Sequence, residues 1–143
     1  MVRAEFQKIT MKTFIESLKK ELDLDIIDEE VLEGWNKIFV GENFGIRDNI
    51  DRLVSKYPLY IFSNTSISHA EFWRNEYSEL LKHFQKIFTS FELGMRKPEK
   101  ESFLEVCSQM DVLPEKILFF DDTEENIVAA NDLGMNAVKV DRI

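Results

Sequence analysis

The sequence predicts an α/β fold: a parallel sheet with covered faces, preceded by a small helical lobe. Three observations predict it. Short apolar runs, "PLYIFSN", "KIFTSF", "KILFFDD" and "NAVKV", alternate with stretches of helical period. That alternation builds parallel sheets buried on both faces. The first forty or so residues carry helical period alone, with no such run. Polar and charged residues stand just past the apolar runs, where open α/β sheets bind ligands.

Each element has its own signal. Met11, Phe14, Ile15, Leu18 and Leu22 fall on one face of a first helix. A second helix fits "DEEVLEGWNKIFV", with Val31, Leu32, Trp35, Ile38 and Phe39 on one side, and "VGENFG" breaks it. The helical lobe spans residues 1–44 and the α/β core residues 45–143. A helix over 46–56 turns Ile50, Leu53 and Val54 inward. The strand "PLYIFSN" follows, then an amphipathic helix over 70–84, then the strand "KIFTSF". Pro98 opens a helix to about Met110, as proline at a first helical position does. The strand "KILFFDD", a helix over 123–133 closed by Gly134, and the strand "NAVKV" complete the chain.

The chain has 143 residues, 44% hydrophobic and 12% aromatic, enough for one packed domain with a small lobe. Its formal net charge of −9 argues against nucleic acid and anionic membrane as partners, since both need a basic surface. The single cysteine, Cys107, excludes an internal disulfide and suits a reducing cytoplasm. It shares a helical period with Phe103, Leu104, Val106 and Met110 and reads as a small core hydrophobe. No apolar run reaches the length of a membrane span, and "MVRAEFQK" lacks the apolar stretch of a signal peptide.

The residues past the strands carry the chemistry. Ser63 offers a hydroxyl, and the turn through Asn64 and Thr65 offers backbone N–H groups. Lys97 offers a cation steadied by Pro98. Asp121 and Asp122 offer hard oxygen donors suited to Mg²⁺, which takes one or two protein carboxylates beside water and substrate phosphate. Taken singly, each has a bland reading: a turn, a solvated lysine, a helix cap. As an ordered set at successive strand ends they describe a phosphate site.

These residues resemble the haloacid dehalogenase (HAD) superfamily of phosphohydrolases. "YIFSNT" is similar to its second motif, with Ser63 as the phosphate-binding hydroxyl. "LGMRKPEKESF" is similar to the third, with Lys97 as the motif lysine. "FFDDTEENIVAANDLGM" is similar to the fourth, in its DDxxxN form. The resemblance implies Asp122 as the direct Mg²⁺ ligand, Asp121 close by or acting through water, and Asn126 bracing the loop. It implies Ser63 and the Asn64 amide on the phosphoryl oxygens, Lys97 neutralising charge, and His69 lining the substrate pocket. Asn43 and Phe44, at the cap hinge, are weaker pocket residues. "GWNKIF", "SNT…H…FW" and "LGMRKP" bring the chain nearest the α-glucose-1-phosphate phosphatases and the phosphatase domain of soluble epoxide hydrolases. The implied activity is Mg²⁺-dependent hydrolysis of a small phosphorylated metabolite, a sugar phosphate, through an aspartyl-phosphate.

The family's first motif, a strand ending in DxDxT, has no counterpart. Its first Asp is the nucleophile, and its strand lies centrally, between those at 58–63 and 116–121. The expectation is a HAD-like Rossmannoid sheet lacking that strand, behind an incomplete helical cap. Such a chain should be inactive by itself. It could associate with itself or borrow a strand through the open edge. Asp23 and Asp25 of "ELDLDII" have DxD spacing, but the helical "FIESLKKEL" before them supplies no strand. Asp25 or Asp28 caps a helix instead. A late start or a truncated form explains the missing motif most simply. The rival reading is a non-catalytic binding or interaction protein that keeps the acidic pocket. A receiver-type signalling domain needs its acid pair early and its lysine late, the reverse of the order here.

Overall fold

The computed structural model describes residues 10–141. The stretch read for a leader, the start of the lobe and residues 142–143 lie outside the described residues. Three helices come first: α1 (Met11–Glu21), α2 (Asp28–Asn36) and α3 (Ile46–Val54). The Thr10 hydroxyl caps α1 by accepting from the Thr13 N–H. Of the positions expected to face inward, Ile15, Val31 and Ile50 are buried, whereas Leu22, Ile38, Leu53 and Val54 are exposed. Helix α2 stops at Asn36 rather than continuing through Val40, and no glycine is needed to end it. Asp28 is not its cap but stands in its first turn, where a carboxylate suits the helix dipole, and pairs with Lys19 at 3.0 Å. Asp23 has a left-handed φ of 49° in the exposed turn after α1 and lies on no strand.

Four short strands follow, β1 (Tyr60–Ser63), β2 (Lys86–Thr89), β3 (Leu118–Asp121) and β4 (Asn136–Lys139). Among the described residues they form two parallel pairs, β1–β2 and β3–β4, with no ladder joining the pairs. Each of the four strands keeps one unpaired edge, and those of β1 and β3 are where the missing strand was expected. The connections are α4 (Ile67–Glu76), α5 (Ser78–Leu81), α6 (Ser90–Leu93), α7 (Lys100–Met110) and α8 (Glu124–Asp132).

The structure corrects three boundaries. The helix expected over 70–84 starts at Ile67, where Ser66 accepts from the His69 N–H, and breaks at Tyr77. Strand β2 stops at Thr89, because Ser90 turns the chain into α6. Pro98 does not open α7. It follows Lys97 through a cis peptide bond, and the helix begins at Lys100 after Glu99. The end of α8 is as expected: Gly134 takes φ 87°, and the Gly134 and Met135 N–H groups bond back to Asn131 and Ala130.

The core lies under the gap between the two pairs. Phe103 of α7, 1% exposed, packs with Cys107, Ala129, Ala130 and Met135. Its ring meets Phe62 of β1 and Phe119 of β3 edge-on, each at 5.5 Å. One aromatic side chain therefore ties together two strands that share no ladder. The opposite face of β3–β4 is poorly covered: Leu118 and Phe120 are 59% and 55% exposed. No helix among the described residues is long and apolar enough to cross a membrane.

Candidate active site

The site is built at the carboxyl ends of β1 and β3. Ser63 ends β1, half-buried and in register with Thr89. Asp121 ends β3, where the parallel ladder delivers it beside Lys139 of β4. Between the strands sits Lys97, 7% exposed although its chain segment is a loop. Its Nζ donates to Asp121 Oδ2 at 2.6 Å and to the Phe62 carbonyl at 2.8 Å. The same ammonium lies 5.1 Å from the Phe62 ring centre and 5.4 Å from that of Phe119. A buried cation without such partners would be prohibitive.

Asp121 is held on both oxygens. Oδ1 accepts from the Thr123 N–H and from Asn126 Nδ2, each at 2.9 Å, and Oδ2 from Lys97. Burial pushes its carboxyl up, but Lys97, Asn126 and Thr123 outweigh that and hold it below the usual carboxylate range. Asn126, itself buried, reaches the acid from the first turn of α8. Asp122 is half-buried and accepts from the Thr123 hydroxyl at 3.2 Å.

The loop after β1 is cross-braced. Ser90 Oγ accepts from the Thr65 N–H at 3.1 Å and donates to the Thr65 carbonyl at 3.2 Å. Trp73 Nε1 donates to Thr65 Oγ1 at 3.4 Å. The Asn64 side chain turns toward Lys97. Its Nδ2 donates to the Lys97 carbonyl at 2.8 Å, and its Oδ1 accepts from the Lys97 N–H at 3.0 Å. Sequence reasoning missed this contact; a polar residue at a strand end signals a role but not its partner.

His69 lies in the packing between helical lobe and core. Its ring stacks on Trp35 at 4.8 Å, meets Phe39 edge-on at 5.1 Å, and places Nε2 3.3 Å from the Trp35 carbonyl. Burial lowers its pKa against a smaller upward pull from that carbonyl. Phe44 is fully exposed. Asp23 and Asp25 lie in the exposed turn after α1, not on a strand end.

The structure thus brings Lys97, Asp121 and Asn126 into one bonded cluster, with Asn64 attached to it through the Lys97 backbone. Ser63 and Asp122 stand at the adjoining strand ends. Two hard carboxylates are what Mg²⁺ asks of a protein when water and phosphate fill the remaining positions. Among the described residues no group of three or more His, Cys, Asp or Glu side chains forms a self-sufficient metal cage.

Comparison with known proteins places the chain in a family. D-ribitol-5-phosphate phosphatase of Bacteroides thetaiotaomicron is 27% identical over 132 residues, 89% of this chain and 64% of that protein. Enolase-phosphatase E1 of Persephonella marina is 32% identical over 87 residues, 59% of this chain and 37% of that protein. The chain therefore spans about a third to two thirds of the length of these relatives. A HAD family enzyme of Bacteroides thetaiotaomicron, solved with magnesium and inorganic phosphate, superposes with a TM-score of 0.84 at 27% identity. The match covers 96% of this chain and 73% of that one. Residues 5–134 match the family described as haloacid dehalogenase-like hydrolase. The chain belongs to the haloacid dehalogenase-like hydrolases.

Proposed function

We propose that this chain carries the phosphate and Mg²⁺ side of a phosphomonoesterase acting on a small sugar phosphate. The observation that carries the proposal is the buried Lys97–Asp121 pair spanning two strand ends, with Ser63 and Asp122 adjoining. The matched relatives include phosphatases of phosphorylated small molecules, which supports the substrate class.

Asp122 would hold Mg²⁺ directly, with Asp121 beside it. Bound there, the metal would neutralise phosphoryl charge and polarise the ester. The Ser63 hydroxyl and the Asn64 backbone N–H donate to phosphoryl oxygens. Lys97 supplies positive charge that needs no proton rearrangement. Asn126 and the Thr123 N–H keep Asp121 deprotonated and aimed at Lys97.

The attacking carboxylate is the piece these residues do not supply. In the proposed reaction a carboxylate oxygen bonds to phosphorus as the ester P–O bond breaks and the second acid of a DxDxT strand protonates the leaving oxygen. Water then attacks phosphorus, giving up a proton to that acid, and releases phosphate and the free carboxylate. The carboxylate would come from a strand seated between β1 and β3, and this chain by itself is inactive. The loss of a covalent nucleophile costs on the order of 10⁶ in rate.

The test is a phosphatase assay with Mg²⁺ and a panel of sugar phosphates. It compares this chain with one extended upstream by an apolar strand ending in DxDxT. Activity only in the extended chain is expected. Comparable activity in both, abolished by Asp23→Asn, overturns the assignment. A second reading is a non-catalytic binding protein, since no group of three or more His, Cys, Asp or Glu side chains among the described residues could hold a metal ion. It predicts phosphate binding without turnover in both chains.

A further inference from the structure

We propose that Asn64 is a positioning residue: its side-chain amide grips the Lys97 backbone and so holds the ammonium between β1 and β3. The Asn64 amide offers a donor and an acceptor, and both go to the same residue, 33 positions away in sequence. Nδ2 takes the Lys97 carbonyl and Oδ1 takes the Lys97 N–H. No residue of the loop after β1 makes another such two-point contact to Lys97 among the bonds of the described residues.

The grip matters because of what lies at the other end of the side chain. A lysine stem is flexible, with about 2 kcal/mol of rotamer entropy to lose on being fixed. The ammonium is placed by the Phe62 carbonyl and Asp121 Oδ2 and by two ring faces, contacts that need a particular starting point for the stem. Phe62 is the penultimate residue of β1 and Asn64 immediately follows the strand. One strand end therefore holds both ends of the lysine, and presents its charge to Asp121 on β3. Alanine at position 64 keeps the fold of the turn but removes both anchors. Leucine keeps the bulk and offers neither bond.

A merely structural Asn64 would close its loop and leave the ammonium indifferent, so the ammonium is the thing to watch. The full chain is labelled with ¹⁵N-lysine, and the Lys97 ammonium signal is identified by its loss in Lys97→Arg. In the wild type it should exchange slowly with water. In Asn64→Ala and Asn64→Leu exchange should accelerate roughly tenfold, in line with losing two hydrogen bonds. Val106→Ala, a core change on α7 remote from the grip, should leave it unaltered. Unaltered exchange in both Asn64 variants overturns the proposal. Should those variants fail to fold, the wild type still decides. A scalar coupling across the hydrogen bond from the Lys97 amide to Asn64 Cγ is expected, and its absence overturns the grip.

The use of this ammonium on a phosphoryl group rests on the function proposed above; the grip itself does not. Titrating the same proteins with inorganic phosphate and Mg²⁺ separates the two. Ammonium exchange that responds to Asn64 in a chain that binds no phosphate supports the grip and counts against the function. Phosphate binding with an indifferent ammonium does the reverse.

Discussion

The Lys97 ammonium and Asp121 Oδ2 lie 2.6 Å apart, and both side chains are more than nine-tenths buried. They come from a loop and a strand end 24 residues apart, and they meet where two parallel strand pairs fail to join. A buried pair of this kind is weak evidence of stability gained, because desolvation offsets most of the attraction. Breaking it is another matter, since the survivor keeps its burial and loses its counter-charge. Lys97→Ala and Asp121→Ala should each lower stability by about 3–5 kcal/mol. Urea denaturation of the two variants and of the double variant checks this. The double variant should cost clearly less than the two singles added together.

Asn126 is the second support of Asp121. Its Nδ2 bond to Oδ1 is buried, and its loss leaves an acceptor short of a partner. Asn126→Ala should cost about 1–3 kcal/mol. Asn126→Asp should cost more, because it sets a second carboxylate against the first. Thermal melts of both variants give the order, and an Asp variant as stable as wild type would contradict this account of the loop.

Much of this arrangement was legible in the sequence because it is local. "ILFFDD" is a buried run meeting two acids, and its period and its end mark a strand with a site at its mouth. Ser63 and Lys97 were legible for the same reason, as polar residues past other runs. The gap between β1 and β3 was legible only through the family resemblance, since no single run reveals its neighbours. Contacts between distant segments left no local trace. Nothing in "SNT" says that Asn64 holds residue 97, and nothing in "ISHAEFW" says that His69 stacks on Trp35. Pro98 misled because proline suits both a first helical turn and the cis bond found here, and spacing does not distinguish them. The break at Tyr77 was hidden because apolar residues keep a helical period across it.

His69 gives a pH dependence with a definite sign. Its folded pKa is lowered, chiefly by burial against Trp35 and Phe39. The unfolded chain then binds the proton more readily, so the neutral ring stabilises the fold above the ordinary value of about 6.5. That contribution is lost as pH falls through the lowered folded value. Between pH 7 and 5 the wild type should lose stability faster than His69→Phe, which keeps the stack without the proton. Urea midpoints at several pH values measure the difference, and parallel curves would refute it.

Phe103 offers the sharpest test of how the two strand pairs are held. Its ring is 1% exposed and touches Phe62 on one side and Phe119 on the other, so it bridges a gap with no backbone ladder. Truncating a buried phenylalanine costs about 3–5 kcal/mol through lost transfer energy and the cavity left behind. Here the loss falls on the joint itself. Phe103→Leu refills most of the volume but not the two edge-on contacts. It should be milder than Phe103→Ala yet still raise amide exchange in β1 and β3 together. Val106→Ala, one turn along the same helix, also removes buried volume but lies outside the cluster around Phe103. Amide exchange followed strand by strand should show β1 and β3 loosening together only in the Phe103 variants. Loosening confined to one pair would show that Phe103 packs beneath that pair and does not join the two.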